Sequence, residues 1–143
     1  MKKVILGEKK KNVKYDFRET CFGIIFKNDK FYLTEKHGEL SLVGGGVEVG
    51  ENHFETLKRE AIEEAGLQVL EINDFVTIDC FWHTIDNREM ESLANFYLVK
   101  VSDEILEATE NVSNLVILDE KELLKRLSLP YQKKAIELYL QER

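Results

Sequence analysis

Residues 44–67 read GGGVEVGENHFETLKREAIEEAGL, and no other stretch restricts this chain as much. Counting from Gly45, five residues lead to Glu51 and seven more to Arg59, after which Glu60, Glu63, Glu64, Gly66 and Leu67 follow in one run. Asn52 is a good helix N-cap, and Glu55 three residues later completes the capping-box pattern. Gly66 falls where a helix ends in the left-handed conformation that glycine adopts cheaply. The pattern predicts a helix over about 53–65, roughly three and a half turns long. A loop of three glycines, Gly44, Gly45 and Gly46, precedes it and lets the backbone come close to a ligand.

At about 100° per residue, with Glu60 as zero, Glu63 falls near −60° and Glu64 near +40°. Leu57, Ala61, Phe54, Ala65 and Ile62 fill the arc from about 60° to 200°, the face expected to meet the core. Three acids on one helix face are ordinarily just solvated. Here they repel at spacings of three and four, at roughly 0.2–0.5 kcal/mol per pair. They also sit in the later half of the helix, where the dipole disfavours anions. A divalent cation reverses both penalties, and all-oxygen ligands with no Cys/His cluster beside them point to magnesium or manganese rather than zinc.

Written as G-x5-E-x7-R-E-U-x-E-E-x-G-U, with U apolar, the stretch resembles the Nudix box at every fixed position. The resemblance covers about a sixth of the chain. It implies hydrolysis of a nucleoside diphosphate linked to another group X, with Mg2+ as cofactor and Mn2+ as a substitute. By position, Glu60, Glu63 and Glu64 match metal-binding carboxylates, Glu60 also being a candidate general base, and the Gly44 carbonyl matches a further metal contact. Glu51 and Arg59 match a pair that braces the loop against the helix, and Gly45 and Gly46 match the backbone that meets the substrate. The family commonly has proline just before the glycines. This chain has Val43, without proline's fixed φ.

The 143 residues suit one domain, expected over 1–143 with the box at 45–67. A domain of that length buries roughly two-thirds of its unfolded surface. No apolar run approaches the ~20 residues that span a bilayer, so no membrane partner and a cytoplasmic location are expected. Cys21 and Cys80 stand in apolar segments without CxxC spacing and read as buried free thiols. The net charge of −7 argues against nucleic-acid polymers as partners. Bound metal would reconcile it with a polyanionic substrate. Residues 1–18 are the exception, with seven Lys/Arg against Glu8 and Asp16. They read as a solvated arm or strand edge in preference to a phosphate-steering patch.

Elsewhere, 20–36 predicts two strands joined at Asn28-Asp29, and Leu40 to Val43 a short strand feeding the glycines. Asp74 to His83 and Ser92 to Val101 predict strands around the polar segment 84–91, with a further strand over 115–118. Asp119 is placed as the cap of a helix to about Leu127. Ser128 with Pro130 opens the last helix, whose stripe is Ala135, Ile136, Leu138, Tyr139 and Leu140. The fold class expected is α/β, a mixed β-sheet between α-helices, which matches the Nudix fold.

Family members often add a carboxylate from a distant loop. Glu110 sits at the matching distance before the strand at 115, with Glu107 as the alternative and a solvated loop as the plain reading of both. Sub-family signatures downstream of the box are largely missing; where many ADP-ribose pyrophosphatases carry proline, this chain has Trp82. What remains is MutT-like housekeeping hydrolysis of a small nucleotide derivative, by a monomer or homodimer. The other class of function is a catalytically silent nucleotide sensor, which intact Arg59, Glu60, Glu63 and Glu64 disfavour. Trp82 or Phe81, on opposite faces of one strand, is the candidate for stacking on a base. A core aromatic beside surface neighbours is the plainer reading.

Overall fold

A computed structural model describes residues 1–143. The elements are β1 (Lys2–Leu6), β2 (Asp16–Ile24), β3 (Phe26–Lys27), β4 (Lys30–Lys36), β5 (Glu39–Gly46), α1 (His53–Ala65), β6 (Leu67–His83), β7 (Glu89–Ile105), β8 (Ser113–Leu118), α2 (Glu120–Arg126) and α3 (Pro130–Glu142). The sheet runs β1-β6-β7-β2-β5-β4-β3, with β8 also on β4. Two of its pairings, β1 with β6 and β2 with β7, are parallel. The sheet is therefore mixed, as expected.

Each face carries its own core. One packs Phe22, Ile24, Leu33 and Phe96 against Leu123, Ala135 and Ile136 of α2 and α3. The other packs Cys21, Val43 and Val99 against Leu57, Ala61 and Ala65 of α1. Fully burying a side chain such as Leu57 stabilises the fold by about 1.5–3 kcal/mol. The layers are helix, sheet, helix, and both cysteines are buried and free. No helix is long and apolar enough to cross a membrane.

Helix α1 covers the expected residues. Asn52 Oδ1 accepts from the Glu55 N–H at 2.8 Å while the Glu55 carboxylate accepts from the Asn52 N–H at 3.1 Å. At the other end Gly66 has φ 65°, and a Cβ there would stand 2.0 Å from the Leu106 carbonyl oxygen. The apolar face is narrower than the wheel suggested. Phe54 and Ile62 are exposed, and the Lys58 ammonium lies over the ring of Phe54 at 4.4 Å.

Several expectations are corrected. The three glycines are not a loop: β5 runs through Gly46, pairing Phe22 with Gly44, Cys21 with Gly45 and Thr20 with Gly46. In place of proline, buried Val43 is held in the ladder opposite Gly23. Strands β6 and β7 are both 17 residues long and run past the expected bounds, which the sequence pattern hides because register shifts near Leu67, Val69 and Asp74 interrupt the alternation that marks a strand. The acidic stretch from Asp103 thus begins inside β7. Ser128 does not open α3; its N-cap is Leu129, without a side-chain cap, and Pro130 alone sets the first turn. At Asn28-Asp29 both residues have positive φ, 54° and 61°, which is the two-residue turn whose twist suits a hairpin.

Candidate functional site

The helix and the end of β5 are locked together by one guanidinium. Arg59 donates from Nε and Nη2 to the two oxygens of Glu51 at 2.7 and 3.0 Å, a bidentate pair. Its remaining hydrogens reach Glu60 Oε1 at 2.8 Å, Glu63 Oε2 at 3.3 Å and the Gly46 carbonyl at 3.4 Å. Glu51 further accepts from the Thr56 hydroxyl at 2.7 Å and the Glu48 N–H at 3.1 Å. Hydrogen bonds from Arg59, then from Thr56, pull the Glu51 carboxyl down to about 2. Arg59 in turn is held charged, chiefly by its bonds to Glu51.

Glu64 faces the glycine strand, where its Oε1 accepts from the Gly44 N–H at 3.2 Å. Gly44 is irreplaceable on two counts. Its φ is 146°, and a Cβ would fall 2.1 Å from the Cys21 carbonyl oxygen. At Gly45 only room is at issue: a Cβ would come 3.0 Å from Glu60 Oε1 and press on that carboxylate. Burial, reinforced by the charge of Glu60, pushes Glu64 up to about 8. Burial also raises Glu60, against the lowering effect of Arg59. Two carboxyls that burial makes harder to ionise therefore stand where α1 meets β5.

As the side chains stand, no three acidic, histidine or cysteine groups converge on one point. Arg59 draws Glu60 and Glu63 toward itself while Glu64 turns to Gly44. The donor set nonetheless fits a hard divalent cation, because it is all oxygen and both Glu60 and Glu64 resist ionisation in a way that such a charge relieves.

Glu110 is tied to the same helix end through its backbone, its N–H donating to the Glu63 carbonyl at 2.8 Å. Its carboxylate is engaged by Lys36 at 2.7 Å and by the Ser113 hydroxyl at 3.1 Å. Lys36 is the main reason its carboxyl sits below the usual range. Glu107 lies exposed in the loop.

Beside Gly44, Gly45 and Glu64 opens a cavity of about 480 Å³, walled by Phe22, Trp82 and Tyr131. Trp82 is packed against the core, donates from Nε1 to Ser92 Oγ at 2.9 Å, and also lines the cavity. Phe81, on the other face, stands edge-on to Tyr15 at 5.4 Å under Lys9, away from the cavity. The structure thus brings Glu51, Arg59, Glu60, Glu63, Glu64 and the glycines together, sets Glu110 alongside, and leaves Phe81 out.

Sequence reasoning missed Thr56 and Gln132, both fully buried. Thr56 falls near −40° on the wheel, inside the acidic arc, and that position was the signal. Gln132 fixes β5 by accepting from the Leu42 N–H at 2.8 Å and donating to Ser41 Oγ at 3.0 Å. It stands three residues before Ala135, the first residue of the stripe read for α3. Arg18 was missed as well: alternation along β2 puts it on the cavity face with Phe22.

The helix lays Glu60 and Glu64 against a glycine strand, beside an aromatic-walled cavity in a helix–sheet–helix sandwich, an arrangement that suits a hydrolase of diphosphate bonds. The NUDIX domain family profile matches residues 17–139. The chain belongs to the Nudix hydrolase family. Among solved structures, a NUDIX hydrolase from Nitrosomonas europaea is similar at TM-score 0.71 and 18% identity, over 89% of this chain and 90% of that one. A MutT protein from Bacillus halodurans is similar at TM-score 0.69 and 21% identity, over 84% and 80%. A MutT NUDIX hydrolase from Burkholderia pseudomallei gives 0.65 and 22%, over 85% and 97%. At these identities the likeness is one of fold. No curated protein sequence matches the chain.

Proposed function

We propose that this protein is a Mg2+-dependent pyrophosphohydrolase, with Mn2+ able to substitute, that cleaves a small nucleoside diphosphate derivative in a MutT-like housekeeping role in the cytoplasm. Residues 1–143 act as one domain in this reading. The observation that carries it is the pair of partly buried carboxylates, Glu60 and Glu64, held against a glycine strand that borders the cavity and raised by burial. Glu60, Glu63, Glu64 and the Gly44 carbonyl would hold the cation, with Glu110 reaching it from the loop. When bound, a divalent cation activates water and neutralises charge on the diphosphate.

The remaining work falls to the chain's own groups. Arg59, fixed by Glu51, orients Glu60 and Glu63. Glu60 is the candidate base, because its carboxylate lies against Gly45 where the diphosphate would approach. The backbone of Gly45 and Gly46 receives the diphosphate, and Trp82 offers a ring to the base. Hydrolysis measured with magnesium across nucleoside triphosphates, nucleotide sugars and dinucleotides tests the reading. Turnover of at least one class, lost in EDTA, supports it; binding without turnover would make the chain a sensor instead.

A further inference from the structure

Of the neutral polar side chains that line the cavity beside the glycine strand, those of Thr34, Ser41, Gln132 and Trp82 already make hydrogen bonds within the protein. Thr34 Oγ1 donates to the Ser41 carbonyl at 3.3 Å and Ser41 Oγ to the Leu42 carbonyl at 2.8 Å. Gln132 is engaged at both ends and Trp82 Nε1 is committed to Ser92. Side chains held in this way give a nucleobase edge little to read.

The cavity's cations differ in how far they are engaged. Lys36 is neutralised by Glu110 at 2.7 Å. Arg88, on the turn between β6 and β7, shares its Nε with Asp86 at 3.3 Å. Arg18 alone of these cavity cations has no carboxylate within 4.0 Å. Its guanidinium lies over the last glycine of β5, so close that a Cβ on Gly46 would be 3.2 Å from Nη2. In a chain of net charge −7, Arg18 is an exposed guanidinium beside the site that a ligand's anion can reach without displacing a carboxylate.

Resting on the hydrolase reading above, we propose that Arg18, with Arg88 lining the same cavity, selects substrates whose group X is itself anionic, and that it does so by binding a phosphate or carboxylate of X beyond the diphosphate. Arg18 is a specificity-determining residue in this assignment, and the substrate class is a nucleoside diphosphate extended by an anionic group.

The test compares UTP, UDP-glucuronate and UDP-glucose, which share one nucleotide and carry X as a phosphate, a sugar carboxylate and a neutral sugar. GTP and GDP-mannose repeat the comparison with another base. Wild-type protein with magnesium should show higher kcat/KM for an anionic X than for the neutral one. In Arg18→Ala that preference should fall at least tenfold, through KM rather than kcat, and Arg18→Lys should keep most of it. Response of UTP alone identifies phosphate, and response of UDP-glucuronate alone identifies a carboxylate. An unchanged preference in Arg18→Ala, or a wild-type preference for neutral X, overturns the proposal.

Calorimetric titration with tripolyphosphate separates this proposal from the hydrolase reading, because it needs neither base nor turnover. Binding at least tenfold weaker in Arg18→Ala supports the anion site even if no nucleotide is hydrolysed. Equal binding, or none to the wild type, overturns it even if hydrolysis is found.

Discussion

Glu64 Oε1 accepts a hydrogen bond from the backbone N–H of Gly44 at 3.2 Å, joining the last turn of α1 to the end of β5 across twenty residues of sequence. The contact sets a carboxylate that burial has pushed up to about 8 against the backbone where a diphosphate would lie.

That shift gives the metal-free protein a definite pH dependence. The carboxyl binds its proton more tightly folded than unfolded, so its contribution to stability is complete below the unfolded value near 4.5 and is lost as pH rises through about 8. Melting in EDTA should show Tm falling from pH 5 to pH 8.5. Magnesium should abolish most of that fall, and Glu64→Gln should reduce it without metal, leaving the part due to Glu60. A flat profile in wild-type protein would contradict the burial argument.

Arg59 binds Glu51 through two parallel bonds that lysine cannot reproduce. Arg59→Lys should therefore keep Tm closer to wild type than Arg59→Ala does, yet recover little of the kcat that Arg59→Ala loses. Equal kcat in wild type and Arg59→Lys would show that charge alone suffices.

Gly44 and Gly50 both have positive φ, but only Gly44 is crowded, since nothing lies within 4 Å of a Cβ at Gly50. Gly50→Ala should cost the backbone strain alone, about 1–2 kcal/mol. Gly44→Ala adds a collision with the Cys21 carbonyl and should cost clearly more, with activity lost. Denaturant unfolding of the two variants checks the order.

Much of this site is legible in the amino-acid sequence, and the reason is local. The cap at Asn52, the stop at Gly66 and the carboxylate spacing are properties of one helix, written in consecutive residues. Fold class follows from apolar runs rich in β-forming residues, such as 92–101. What stays hidden depends on tertiary placement. Arg18 becomes a cavity residue only because β2 lies beside β5, and Gln132 is a core residue only because β5 offers it an N–H and a hydroxyl. The glycines resemble a loop because pairing with Phe22, Cys21 and Thr20 is invisible in their own composition.

Trp82 and Phe81 separate cleanly, since one lines the cavity and the other packs on Tyr15. Trp82→Ala should raise KM for nucleotides with a smaller effect on kcat, losing a stacking contact worth roughly 1–3 kcal/mol. Phe81→Ala should leave KM where it was. Equal KM in both variants would place the base elsewhere.

The most direct measurement is the turnover of Glu64→Gln at saturating magnesium, on the best substrate from the screen, beside wild-type protein with and without EDTA. The substitution keeps the shape of the side chain and removes only its charge. Wild-type activity should vanish in EDTA, return with magnesium or manganese, and be highest at mildly alkaline pH, while Glu64→Gln should turn over at least a hundredfold more slowly with its fold intact. Near-normal turnover in Glu64→Gln, or full wild-type activity in EDTA, would contradict the account.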